Sequence, residues 1–220
     1  MFIDLEHGGL SDSELVNHVI ASRIPTLVRL SESTELAVKR AADSGADALV
    51  CPHVRSAAMA AALIRWAHYP PAGERSVGLS RNTLLGYGLA SALQRTDRPS
   101  VIAQIEDSEG ITDIKAICET PGLASVFVGP YDLSASLGIP GRLSEDSFVS
   151  AARQVAIAAH AARILAGIFA PSCEAWATFI EYGFDYVVLR SDSLFLAEAA
   201  TTGLKVAREH WASGIAQQVR

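Results

Sequence analysis

The chain has 220 residues, of which half are hydrophobic and 19% charged, and a formal net charge of −6. This composition supports one packed core and excludes a disordered polypeptide. The acidic balance, without a basic run, an aromatic RNA-binding motif or zinc-finger spacing, excludes nucleic acid as an expected partner.

Apolar runs alternate with helix-like segments along the chain. The runs are Phe2 to Leu5, Ile24 to Leu30, Ala46 to Cys51, Val101 to Glu106, Ala124 to Asp132, Ile164 to Phe169 and Tyr186 to Leu189. None shows polar alternation, as expected of strands covered on both faces. Ser33 or Thr34, Ser56, Ser144 and Ser172 stand where helices would be capped. Helices are expected to end near Ser44, Ala67, Ala162 and Gly183 respectively. A shorter one is expected over roughly 110–119, and a last one from about Ser193 to Trp211. Such alternation means right-handed βαβ units in an α/β fold, with residues 1–220 as a single domain.

One stretch breaks the rhythm. Tyr69-Pro70-Pro71-Ala72-Gly73-Glu74-Arg75 through Arg98-Pro99 is too long for one connecting helix. Long excursions on a compact scaffold are often functional loops.

Cys51, Cys118 and Cys173 are odd in number and far apart, so they read as reduced thiols of a cytoplasmic protein. No apolar run approaches the ~20 residues of a membrane span, so no membrane is expected as a partner. Nor does the N-terminal stretch read as a signal peptide.

In a parallel α/β barrel the chemistry gathers at the carboxyl ends of the strands. Here those ends carry Asp4-Leu5-Glu6-His7, Arg29, Pro52-His53, Gln104-Ile105-Glu106, Asp132 and Arg190-Ser191-Asp192. Glu106 and Asp132 end consecutive runs, which suits a hard divalent cation. Either acid alone could equally cap a following helix. Arg29 suits a bidentate pair with a substrate carboxylate or a structural acid. His7 is a candidate general base, with Asp4 placed to fix its tautomer. His53 is ambiguous. No lysine stands at a strand end, which disfavours Schiff-base chemistry.

Taken together, these segments resemble the HpcH/HpaI family of metal-dependent (class II) pyruvate aldolases. The resemblance rests on Ile3-Asp4-Leu5-Glu6-His7-Gly8, Val28-Arg29, Tyr69 through Gly78, Gln104-Ile105-Glu106, Gly129-Pro130-Tyr131-Asp132 through Gly138, and Ser191-Asp192. It implies a TIM-type (β/α)₈ barrel of the phosphoenolpyruvate/pyruvate superfamily. It further implies a site holding Mg²⁺ or Mn²⁺, with Co²⁺ as an alternative, through Glu106 and Asp132, and no organic cofactor. Arg29, Gln104 and the backbone around Gly129, Pro130 and Tyr131 would bind pyruvate, and His7 with Asp4 would move a proton. The implied activity is a carbon–carbon lyase cleaving or forming 4-hydroxy-2-oxo acids through a pyruvate enolate stabilised at the metal. A β-keto acid decarboxylase acting on oxaloacetate and a non-catalytic paralogue are the alternatives.

Family members usually assemble as hexamers or trimers, with the last helix packed on a neighbour and a neighbour's loop lining the site. Aldehyde choice is expected to depend on the 70–98 loop and on neighbouring subunits. Two departures stand out. The family's first strand and helix are absent, leaving seven strands, and Asp107 and Arg190 replace more usual small residues.

Overall fold

The computed structural model describes the backbone of residues 1–95 and 98–218 and the side chains through residue 211. Seven parallel strands form one sheet in chain order: β1 Phe2–Asp4, β2 Leu27–Arg29, β3 Ala48–Cys51, β4 Ser100–Ile105, β5 Leu123–Val128, β6 Leu165–Ala170 and β7 Tyr186–Leu189. Among the described residues ten α-helices and one 3₁₀ helix, Arg81–Gly86, accompany them: α1 Asp12–Ala21, α2 Glu35–Asp43, α3 Ala57–Ala67, α4 Leu89–Gln94, α5 Ser108–Thr112, α6 Ile114–Cys118, α7 Pro130–Ser136, α8 Asp146–Ala161, α9 Cys173–Glu181 and α10 Asp192–Gln218. This is a TIM-like barrel with one βα unit missing; β1 and β7 border the gap.

Strand parity explains why the runs lack polar alternation. Ile3, Val28, Leu49, Cys51, Val101, Ala103, Ile105, Val126, Val128, Ala166, Ile168 and Ala170 face outward and join the main core against the helices. The residues between them fill the barrel: Phe2, Leu27, Ala48, Val50, Ile102, Phe127, Phe169, Tyr186 and Val188. The Phe127 ring lies 5.8 Å from that of Phe2 and 6.2 Å from that of Tyr186, so aromatic contacts span the interior from β1 to β7. Both faces of the central strands β3, β4 and β5 are therefore desolvated, while β7 beside the gap is only partly buried. Each fully buried Val, Leu or Phe contributes about 1.5–3 kcal/mol.

The caps at Thr34, Ser56 and Ser172 accept hydrogen bonds from Ala37, Met59 and Ala175 N–H groups, as the sequence leads one to expect. α9 stops where Gly183 adopts φ +101°, a left-handed conformation open to glycine.

Four details differ from the sequence reading. α1, closed by a Ser11–Glu14 capping box, falls in a stretch without a strong apolar stripe. The expected helix over 110–119 is two short ones broken at Asp113. The N-cap position of α8 is Glu145, not Ser144, and its side chain makes no capping hydrogen bond. β5 ends at Val128, because Pro130 pre-sets the first turn of α7, and Asp132 therefore sits on a helix.

Candidate active site

Parallel strands put all their carboxyl ends on one rim, and inward parity selects which side chains meet there. Asp4 and Arg29 follow Phe2 and Leu27 by two positions, and Gln104 and Glu106 follow Ile102 by two and four. Asp4 and Arg29 are register partners on β1 and β2. Arg29 grips Asp4 through two hydrogen bonds, Nε to Oδ1 at 2.8 Å and Nη2 to Oδ2 at 2.5 Å. Its Nη1 lies 3.1 Å from Glu6 Oε2. Burial alone would raise the Asp4 pKa, but the Arg29 hydrogen bonds and charge outweigh it and hold it below the usual carboxylate value.

Glu106 is 1% exposed and accepts from the His53 backbone N–H at 2.8 Å and from the Gln104 side-chain amide. Burial is the main reason that its pKa is raised, and it outweighs those hydrogen bonds and the His53 charge. The fit around this carboxylate is close. A Cβ on Gly129 would stand 2.4 Å from Glu106 Oε2. That close approach, rather than backbone freedom, is what glycine provides at the end of β5.

His53 follows β3 with φ +53°. Its Nδ1 lies 3.0 Å from Asp107 Oδ2, and its Nε2 lies 3.6 Å from Glu6 Oε1. Asp107 is in turn held by Arg55, with Nε to Oδ2 at 2.9 Å and Nη2 to Oδ1 at 3.1 Å. Burial pulls the His53 pKa down, but the carboxylates of Glu106, Asp107 and Glu6 outweigh it and the value is raised.

Glu6, His53 and Glu106 each offer a ligand atom within 4.8 Å of the others. Four carboxylates around this point, Asp4, Glu6, Glu106 and Asp107, stand with two guanidinium groups: Arg29 pairs with Asp4 and Glu6, and Arg55 with Asp107. That leaves an excess of negative charge beside a borderline nitrogen donor. This donor set fits a divalent cation.

The remaining expected site residues fall nearby in sequence but differ in setting. The His7 side chain is 66% exposed, with Glu6 Oε2 at 4.0 Å as its carboxylate neighbour. Asp4 accepts from the His7 backbone N–H, and its side chain is committed to Arg29. Pro130 is buried at the start of α7; Tyr131 is half exposed, its ring 6.4 Å from that of Phe169. Asp132 is exposed in the first turn of α7, outside the Glu6–His53–Glu106 group.

The sequence reading assigned no role to Glu6 and left His53 open. Glu6 lay within the Asp-x-Glu-His run, and His53 followed a strand end, so a signal existed for both. Asp107 faces His53 and Arg55 rather than away from the site.

The 69–98 excursion lies at the opposite end of its own barrel. His68 bonds the Pro99 carbonyl at the start of β4, Arg81 bonds the Ser44 carbonyl after α2, and the Glu74 N–H bonds the Arg65 carbonyl near the end of α3. Arg75 pairs with Asp43 and stacks over Tyr69. Residues 96 and 97 lie outside the described part of this loop.

The chain is similar in sequence and fold to known proteins. The family model for HpcH/HpaI aldolase/citrate lyase matches residues 1–199. A hydroxypyruvate/pyruvate aldolase of Paraburkholderia phytofirmans is 32% identical over 94% of this chain and 84% of its own length. A 4-hydroxy-2-oxovalerate aldolase of Novosphingobium aromaticivorans is 30% identical over 97% of this chain and 83% of its own. The crystal structure of an HpcH/HpaI aldolase/citrate lyase family protein from Burkholderia cenocepacia superposes with a TM-score of 0.87 at 30% identity, covering 94% of this chain and 84% of that one. A family model matched over nine-tenths of the chain, and relatives this similar over nearly all of it, lead to one conclusion: the chain belongs to the HpcH/HpaI aldolase/citrate lyase family.

Proposed function

We propose that the protein is a divalent-metal-dependent pyruvate aldolase that cleaves and forms 4-hydroxy-2-oxo acids through a pyruvate enolate. The observation that carries this reading is the buried Glu106, set against Glu6 and His53 and near Arg29 at the carboxyl ends of the strands. Glu106 and Asp132, one turn into α7, would hold Mg²⁺ or Mn²⁺. The bound cation supplies Lewis acidity that stabilises the negative charge of an enolate.

The chain's own residues do the rest. Arg29, fixed by Asp4, presents positive charge that binds the oxo-acid carboxylate and favours the enolate over the ketone. Gln104 and the Gly129–Pro130–Tyr131 turn position the carboxylate, where first-turn N–H groups of α7 lack helical acceptors. In cleavage, His7 accepts the C4 hydroxyl proton. The C3–C4 bond breaks, its electron pair becomes the enolate, and an aldehyde leaves. In synthesis the same proton returns to the new alkoxide.

The relatives' names point to different oxo-acid substrates, so the aldehyde partner is left to screening. The protein would work as a homo-oligomer. α10 supports this: Leu194, Phe195, Leu196, Leu204, Val206 and Trp211 are all exposed along it. A cytoplasmic setting suits its three free cysteines.

The test is deuterium exchange into the pyruvate methyl group, read by NMR. Exchange with Mn²⁺ or Mg²⁺ that disappears with EDTA and in Glu106→Ala is the expected result. Exchange in none of these conditions would overturn the proposal.

A further inference from the structure

The ring of His53 is placed like a metal ligand rather than like a surface histidine. Nδ1 faces Asp107 Oδ2 at 3.0 Å, with Glu106 Oε1 farther off at 3.4 Å, and Nε2 is turned to Glu6 Oε1 at 3.6 Å. A histidine that binds a metal through one nitrogen commonly donates its other N–H to a carboxylate, which fixes ring and tautomer. Asp107 is that carboxylate, and Arg55 holds it through two contacts, at 2.9 and 3.1 Å. The spacing also fits. Donors bound to one ion at about 2.0–2.2 Å stand roughly 3–4 Å apart; His53 Nε2 and Glu6 Oε1 are 3.6 Å apart, and Glu106 offers a ligand atom to the same group.

The backbone adds to this. His53 holds φ +53°, an uncommon conformation for a non-glycine residue, and the same residue's N–H caps Glu106 Oε1 at 2.8 Å. One residue thus caps the buried carboxylate with its backbone N–H and turns Nε2 of its ring toward Glu6.

We infer that His53 Nε2, with Glu6, completes the coordination of the cation at Glu106, which makes this a mixed nitrogen–oxygen site. The inference rests on the proposed metal site and goes beyond it in assigning a nitrogen ligand. An imidazole donor shifts preference away from Mg²⁺ and toward Mn²⁺, Co²⁺ and Zn²⁺. Asp107 and Arg55 are positioning residues that act through the ring.

The experiment is pulsed electron paramagnetic resonance of the full chain loaded with Mn²⁺, read for ¹⁴N coupling, alongside Mn²⁺ and Mg²⁺ titrations. The variants are His53→Asn and His7→Ala; asparagine tolerates the left-handed backbone at position 53. Wild type should show directly bound nitrogen, kept in His7→Ala and lost in His53→Asn. His53→Asn should weaken Mn²⁺ binding roughly 10- to 100-fold, with a smaller effect on Mg²⁺. Mn²⁺ bound at Glu106 without nitrogen coupling, or with coupling that vanishes in His7→Ala instead, overturns this inference and leaves the metal reading standing. Wild-type protein that binds no Mn²⁺ overturns both.

Discussion

Arg29 and Asp4 are register partners on adjacent parallel strands, and their side chains close a two-bond pair directly above the filled barrel interior. The pair sets the plane of the guanidinium and leaves Nη1 beside Glu6, 3.1 Å away. Lysine cannot reproduce that fork. Arg29→Lys should therefore raise the KM for pyruvate roughly 10- to 100-fold, the equivalent of about 1.5–3 kcal/mol for a charge-assisted hydrogen bond. Steady-state kinetics check this; an unchanged KM would remove Arg29 from substrate binding.

Gly129 packs its α-carbon against Glu106. In Gly129→Ala the added methyl would overlap Glu106 Oε2, which is 1% exposed and has little room to retreat. The carboxylate must shift from its position. Mn²⁺ affinity should fall by more than about 10-fold while circular dichroism stays native. Wild-type affinity in this variant would mean that Glu106 is not held at its present place when the cation binds.

Arg75 has no side-chain exposure, pairs with Asp43 and lies 4.5 Å above the Tyr69 ring, with Nε and Nη1 lacking a hydrogen-bond partner among the described residues. Removing one member of a buried pair is strongly destabilising. Arg75→Ala should cost about 3 kcal/mol in urea unfolding, and Arg75→Met, which keeps packing on Tyr69, should cost less. Equal losses in both would assign the effect to charge alone.

Stability should decline on the alkaline side. Burial pushes the Cys51 thiol and the Tyr186 hydroxyl up to about 12, and burial with the nearby Glu119 does the same to Cys118. Unfolded thiols ionise near pH 8.5 and unfolded tyrosine near pH 10. Between those values and about 12 the native state retains protons that the unfolded state releases. Stability is thus full below about pH 8.5 and falls as pH rises, by up to about 1.4 kcal/mol per unit for each group. Melting temperature followed from pH 8 to 11 tests this; Cys51→Ala should flatten the slope. An unchanged slope would show that Cys51 already ionises in the folded state.

Much of the rim was legible before the fold was known. Asp4, Arg29, Gln104 and Glu106 all stand at or near the ends of apolar runs, and parallel strands place those ends on one rim. α1 was not legible, because its signal is a capping box and two buried residues, Leu15 and Val19, rather than a full apolar stripe. Asp132 read as a strand end because no charged residue separates it from β5. Pro130 ends that continuity by favouring a helix start.

The sequence by itself determined the seven-strand alternation, the caps of α2, α3 and α9, and the placing of Asp4, Arg29, Gln104 and Glu106 toward the carboxyl ends of their strands. These depend on local periodicity and turn chemistry, which act over a few residues. Only the tertiary structure decided that Glu6, His53 and Glu106 meet, that Asp107 and Arg55 lock the His53 ring, and that the 69–98 excursion lies at the far end of its own barrel. Those contacts join positions up to a hundred residues apart. They exist because parallel register brings the ends of β1, β3 and β4 together, and no local pattern along one segment carries that register.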